Sequence, residues 1–133
     1  MRPALLRAYR ETCYAAGDAV VRIGRRNPSL DRLLLSHGAR QAVFITAYNP
    51  RSRLMPLGWN RRMQARLVQA LHRYPILTAS GHWRGWSEAH VVVLGDRHPM
   101  LGLARRFRQN GIVVARRRQP ARLLLTAGRL ASH

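Results

Sequence analysis

Residues 42–60 read AVFITAYNPRSRLMPLGWN, and their reading decides the fold. Ala42 to Tyr48 is a short, almost wholly apolar run rich in β-branched and aromatic side chains, among them Val43, Phe44, Ile45 and Thr46. That length and composition predict a strand covered on both faces, since a half-exposed strand would alternate polar and apolar residues. Asn49-Pro50 stops it, because proline has no amide to donate to a ladder and pushes its predecessor out of the helical region. A helical pattern resumes near Leu57 to Asn60. Ligands of α/β proteins bind beyond the carboxyl ends of such strands. Thr46, Asn49, Ser52 and Asn60 therefore fall where a site is expected.

Toward the N-terminus, residues 3–16 place Leu5, Leu6, Tyr9, Cys13 and Ala16 along one helical stripe, with Pro3 in the first turn and Gly17 as the stop. AVVRIG, residues 19–24, reads as a short strand. Asn27-Pro28 opens a helix over about 28–37, with asparagine as the cap, Leu30, Leu33 and Leu34 facing inward, and Gly38 as its end.

Toward the C-terminus, Trp59, Met63, Leu67, Val68 and Leu71 recur at helical spacing over about 57–74. Arg61, Arg62, Arg66 and Arg73 form the solvated face, and Pro75 ends the helix. Ile76 to Ala79 reads as a strand, SGHWRGWSE (residues 80–88) as a loop, and AHVVVLG (residues 89–95) as a second buried strand. Asp96 to Pro99 opens a helix that turns Met100, Leu103, Ala104 and Phe107 inward and closes at Gly111 in a left-handed cap. Residues 112–116 and 121–126 pair as a terminal hairpin, and the last seven residues are expected to fray. The pattern predicts one α/β domain over 1–133, a mixed sheet flanked by helices with a C-terminal β-hairpin.

Composition narrows the function. With 133 residues and 47% hydrophobic content, the chain can bury a core without disulfides. No apolar run approaches the ~20 residues that span a bilayer, and Arg7, Arg10 and Glu11 interrupt the apolar stretch a secretory signal needs. The lone Cys13 fits a reducing, cytoplasmic setting. All 24 Lys-plus-Arg positions are arginine against five acids, a net charge of +19. Two readings stand open: codon bias in a GC-rich genome with incidental polyanion affinity, or selected binding of phosphate or nucleic acid through the planar guanidinium fork. The arginines are spread along the chain, with no basic tail and no aromatic-interleaved RNA-binding signature.

Five separated segments carry a likeness: RIG followed by a Pro-Ser-Leu-Asp helix start, FITAYNPRS, Asn60 in the next helix, WSEAHVVVLG, and RRFRQNGIVV. In this order they resemble a small bacterial family known as domain of unknown function 3293. The likeness runs from Val21 to Val114, within a family-like core of about 20–126. Gly111, where the resemblance implies alanine, and a short loop before Trp86 depart from it. The resemblance implies a compact cytoplasmic α/β domain with Thr46, Asn49, Ser52, Asn60, Glu88 and Gln109 at the motif's polar positions; it carries no activity.

Chemically, those six supply hydroxyls and amides around one carboxylate, Glu88. The functional reading is a pocket for a polar or phosphate-bearing, nucleotide-like ligand, with Arg51 and Arg53 as phosphate partners. A second reading is a nucleic-acid-associated protein whose basic faces grip phosphates without reading sequence. A third makes Glu88 an acid–base catalyst, its pKa raised by Trp83 and Trp86. Against all three, Asn49 and Ser52 are natural turn formers and Glu88 has many arginines with which to pair. No cofactor is implied, since neither nucleotide-binding glycine pattern is present. One cysteine and scattered histidines give no metal site, although His82 and His90 flank Glu88.

Overall fold

The computed structural model describes residues 2–126. In chain order it comprises α1 (Pro3–Glu11), β1 (Cys13–Ala16), β2 (Ala19–Val21), α2 (Pro28–Ser36), β3 (Gln41–Ile45), α3 (Leu57–Ala70), β4 (Ile76–Trp83), β5 (Trp86–Val93), α4 (Arg97–Arg106), β6 (Gly111–Arg116) and β7 (Arg122–Leu125). A single turn of 3-10 helix, Pro50–Ser52, interrupts the passage from β3 to α3. The seven strands form one curled sheet in the order β2-β1-β4-β5-β3-β6-β7.

β3 is the spine of this sheet. It pairs antiparallel with β5 (Phe44 opposite Val92) and with β6 (Val43 opposite Val114), so both its edges are occupied. Four of its five residues are buried, as a strand covered on both faces requires. One face is covered by α1 and α2: Phe44, Val92, Val113 and Ala115 lie in one cluster with Leu30 and Leu34 of α2, against which Leu6 and Tyr9 of α1 pack. The other is covered by α3 and α4: Val43, Ile45, Val91 and Val93 pack with Leu67, Leu71, Met100, Leu103 and Phe107. The arrangement is a three-layer α/β/α sandwich ending in the expected β6–β7 hairpin. Its mixed character reduces to one isolated parallel bridge, Ile23 to Ala121, because every other pairing is antiparallel.

Several local expectations are corrected. The helix predicted over 3–16 stops at Glu11, where the Thr12 amide and hydroxyl both bond the Ala8 carbonyl, and Cys13 begins β1. Residues 80–88 are not a loop: β4 and β5 run on to Trp83 and Trp86 around a two-residue turn. Arg84 (φ 46°) and Gly85 (φ 81°) are both left-handed, the geometry whose twist matches that of the flanking strands. Asn27 caps no amide of α2, its side chain bonding the Arg22 and Arg25 backbone instead, whereas Asp96 caps α4 through the His98 amide. Gly111 is the first residue of β6, and the left-handed residue after α4 is Arg108 (φ 55°). A Cβ at Gly111 would lie 2.8 Å from Leu123 Cδ1 and 3.2 Å from the Leu124 carbonyl, so the glycine is set by close packing of β7. The frayed end expected for the last seven residues lies outside the described residues.

The inward face of α3 also differs from the expected stripe. Asn60, Gln64, Leu67 and Leu71, at spacings of four, three and four, are the buried set, while Val68 is exposed. Leu67→Ala is therefore expected to lower the unfolding free energy by about 2–5 kcal/mol in urea titrations. Val68→Ala, one residue on, should change it by less than about 0.5 kcal/mol. A reversed ranking would contradict this orientation of α3.

Candidate functional site

The polar residues gather where β3 leaves the sheet. Asn49 (φ 47°), Arg51 (φ 54°) and Ser52 (φ 60°) all take the left-handed conformation within four residues. Each such non-glycine residue lies on the order of 1–2 kcal/mol above an ordinary one, so the corner must be held from outside. The Arg51 amide donates to the Arg108 carbonyl at 2.7 Å, pinning it to the end of α4.

The remaining restraint is a set of side-chain bonds centred on Asn49. Its Oδ1 accepts from the Met55 amide and from Asn60 Nδ2, both at 2.9 Å. Its own amide donates to Asn60 Oδ1 at 3.0 Å, and its Nδ2 donates to Glu88 Oε2 at 2.6 Å. One turn further along α3, Gln64 Oε1 accepts from the Ala47 amide at 2.8 Å. Thr46 Oγ1 donates to the Ala89 carbonyl at 2.6 Å and accepts from the Tyr48 amide at 3.1 Å. Gln109 Nε2 closes the far side by donating to the Tyr48 carbonyl at 3.0 Å. The corner is thus bolted to α3, to β5 and to the exit of α4.

Glu88 stands at the meeting point of this network and the α1-covered face. The β4–β5 register pairs Gly81 with Glu88 and Trp83 with Trp86, which puts Trp83, Trp86, Glu88 and His90 on one face of the hairpin. Burial holds the Glu88 carboxyl above its usual range, against the opposing effect of the Asn49 bond. The Tyr9 and Tyr14 phenols are pushed up, both first by burial, then Tyr9 by the nearby Glu88 charge and Tyr14 by Tyr9 and less by Glu88, so neither is a ready proton donor or nucleophile. His90 is buried, its Nδ1 3.2 Å from the Glu88 carbonyl and its ring edge-on to Tyr14 at 5.5 Å. Gly81 makes room for that ring: a Cβ there would lie 2.9 Å from His90 Cε1.

The structure therefore joins Asn49, Asn60 and Glu88 directly and places Thr46 and Gln109 on the same stretch of backbone. Ser52, exposed, accepts only from Asn110 Nδ2 at 3.0 Å, and Arg51 and Arg53 lie exposed on the corner's outside. Sequence reasoning passed over Gln64, which follows Asn60 by one helical turn, a detectable signal; it noted His90 beside Glu88 and Tyr9 on a helical stripe, but not that both are packed close to Glu88. Two surface clefts, of about 400 and 330 Å³, lie elsewhere, and none of the six polar residues lines either. The larger is bounded by Trp83, Arg84 and Trp86 at the β4–β5 turn, a grouping that the loop reading of 80–88 had hidden.

A family model described as "Protein of unknown function (DUF3293)" matches residues 45–112, half of the chain, from the end of β3 into β6. The matched span holds the whole polar network and the β4–β5 hairpin. The RIG and Pro-Ser-Leu-Asp segments precede it. No curated protein matches the chain, and no solved structure does. Among the described residues, no helix is long and apolar enough to cross a membrane.

The two buried titratable groups of β5 give a signed pH dependence. Burial lowers His90 from 6.5 to about 4, so the unfolded chain binds more protons between those values and stability falls as pH drops through them. Glu88 acts oppositely: its raised carboxyl takes up a proton in the fold before the unfolded chain does, adding stability as pH falls. The melting temperature of Glu88→Gln should consequently fall more steeply than the parent's as pH is lowered from neutrality toward the carboxyl's ordinary value of 4.5. Equal slopes would mean that Glu88 titrates as an ordinary surface carboxyl.

Proposed function

The chain belongs to the DUF3293 family, and on that premise we propose that it binds a small polar ligand at the corner after β3, with Glu88 as the central acceptor. One observation carries the reading. Asn49 occupies Glu88 Oε2, while among the described residues no hydrogen bond reaches Oε1. A half-buried carboxyl with one free oxygen is set to receive an N–H or O–H of an amine, a ribose hydroxyl or a base edge. The strained corner supports the same reading, because left-handed non-glycine residues held by surrounding bonds concentrate at ligand sites.

Arg51 and Arg53 extend it toward phosphate. Both are exposed on the same corner, and neither forms an ion pair among the described residues. A nucleotide-like ligand would combine the two chemistries, the guanidinium forks taking phosphate and Glu88 a sugar or base donor. Thr46, Asn60 and Gln109 then position the corner through the bonds already described, as does Gln64 through its Oε1. The lone Cys13 supports a cytoplasmic setting.

A thermal-shift screen against nucleotides and polar metabolites tests this. A ligand at saturating concentration should raise the melting temperature by several degrees. Glu88→Gln keeps an acceptor for Asn49 and is expected to fold, yet to lose most of that rise. The reading fails if no compound shifts the melting temperature, or if Glu88→Gln responds like the parent. Asn49→Ala is the wrong probe, because it removes at once the bonds from the Met55 amide and Asn60 Nδ2 and the bond to Glu88, and so is expected to loosen the corner itself.

A further inference from the structure

We infer that the tip of the β4–β5 hairpin is a binding site for single-stranded nucleic acid, separate from the Glu88 corner. Its core is the pair of indoles that flank the Arg84-Gly85 turn. Trp86 is 54% exposed, unusual for the largest apolar side chain, and Trp83 is its cross-strand partner on the same face. Trp83 is half-buried and Trp86 exposed, and both line the cleft.

Trp83 is fixed in place. Its Nε1 donates to Glu11 Oε1 at 2.9 Å, and the Arg84 guanidinium lies over the ring at 5.0 Å from the centroid. Arg84 also pairs with Glu11 at 3.3 Å. The bond from Trp83, before the nearby guanidinium charges, holds the Glu11 carboxyl below its usual range. The one acid in the cleft is thus engaged by an indole and a guanidinium and does not face the groove as a free charge. Arg22 and His82 also line the cleft, whose volume of about 400 Å³ suits a nucleobase and its sugar.

The chemistry selects the occupant. Unstacked bases offer flat faces to aromatic rings, and the adjoining phosphates take bidentate bonds from arginine. Duplexes keep their bases stacked inward, so only a single strand can use both indoles. The surrounding charge, +19 on 133 residues, draws a polyanion to the groove.

Fluorescence anisotropy with labelled thymidine and uridine homopolymers tests the proposal at about 50 and about 300 mM salt. The parent should bind at the lower salt, bind much more weakly at the higher, and show quenched tryptophan emission. Trp86→Ala should weaken binding about tenfold to a hundredfold, whereas Trp86→Phe, which keeps a ring, stays within about threefold of the parent. Arg117→Ala removes the same kind of charge at the opposite end of β6 and should also stay within about threefold. The proposal is overturned by absence of binding at low salt, by Trp86→Ala binding as tightly as the parent, or by a duplex binding as tightly as the single strand.

Discussion

A left-handed asparagine with three side-chain hydrogen bonds is the joint on which this structure turns. Asn49 sits in the corner that follows the central strand β3, and its carboxamide ties that corner to Met55, Asn60 and Glu88. Few residues tolerate this backbone, and fewer place both a donor and an acceptor one carbon from it. Aspartate would keep the acceptor but set a second carboxylate against Glu88, and alanine would remove three side-chain bonds at once, from the Met55 amide, from Asn60 and to Glu88. Through Asn60 the same joint sets where α3 begins, and so which of its residues reach the sheet. The polar set is an architectural fitting first. Whatever it binds must use the atoms that the fitting leaves over, which is why Glu88 Oε1 matters more than the count of polar residues around it.

Apolar periodicity made most of this fold legible. The run from Ala42 to Tyr48 announced the central strand because burial on both faces leaves no room for polar alternation. Leu30 with Leu34, Leu67 with Leu71, and Leu103 with Phe107 announced three of the helices, and all six are buried. What failed were elements whose inward residues are small. Ala16 in β1 and Ala79 and Gly81 in β4 carry little hydrophobic signal, although the first two are core residues and Gly81 is buried by packing against His90. Arg84-Gly85 read as a loop for the same reason: a two-residue turn is visible only when flanking strands are already suspected. The mixed sheet followed from strands alternating with helices, a pattern that antiparallel crossovers over a sheet produce equally well.

At the polar corner, type was more legible than role. The positions of Asn49, Asn60, Glu88 and Gln109 followed from proline punctuation and family likeness, and they do converge. That Asn60 and Gln109 spend their amides on backbone could not be read, because a side chain's partners depend on contacts between residues far apart in sequence, such as Gln109 with Tyr48. Burial of His90 is of the same kind, created by a glycine across the hairpin and a tyrosine from β1.

The arginines pose a different question, answered by where four of the five acids went. Asp96 caps a helix, Asp31 accepts the Arg118 backbone amide, and Glu88 accepts from Asn49. Glu11 pairs with a guanidinium, yet it also holds an indole. Acid groups serve mainly as acceptors for neutral donors, so the positive surface is left largely uncompensated by the chain itself. Mutual repulsion of that kind destabilises a fold, and this one withstands it through a sheet covered on both faces. Codon bias would account for arginine in place of lysine, but not for the scarcity of acids or for one of them steadying a tryptophan beside an open cleft. An external polyanion would relieve the repulsion wherever it bound. The hairpin tip is where that relief coincides with exposed aromatic faces.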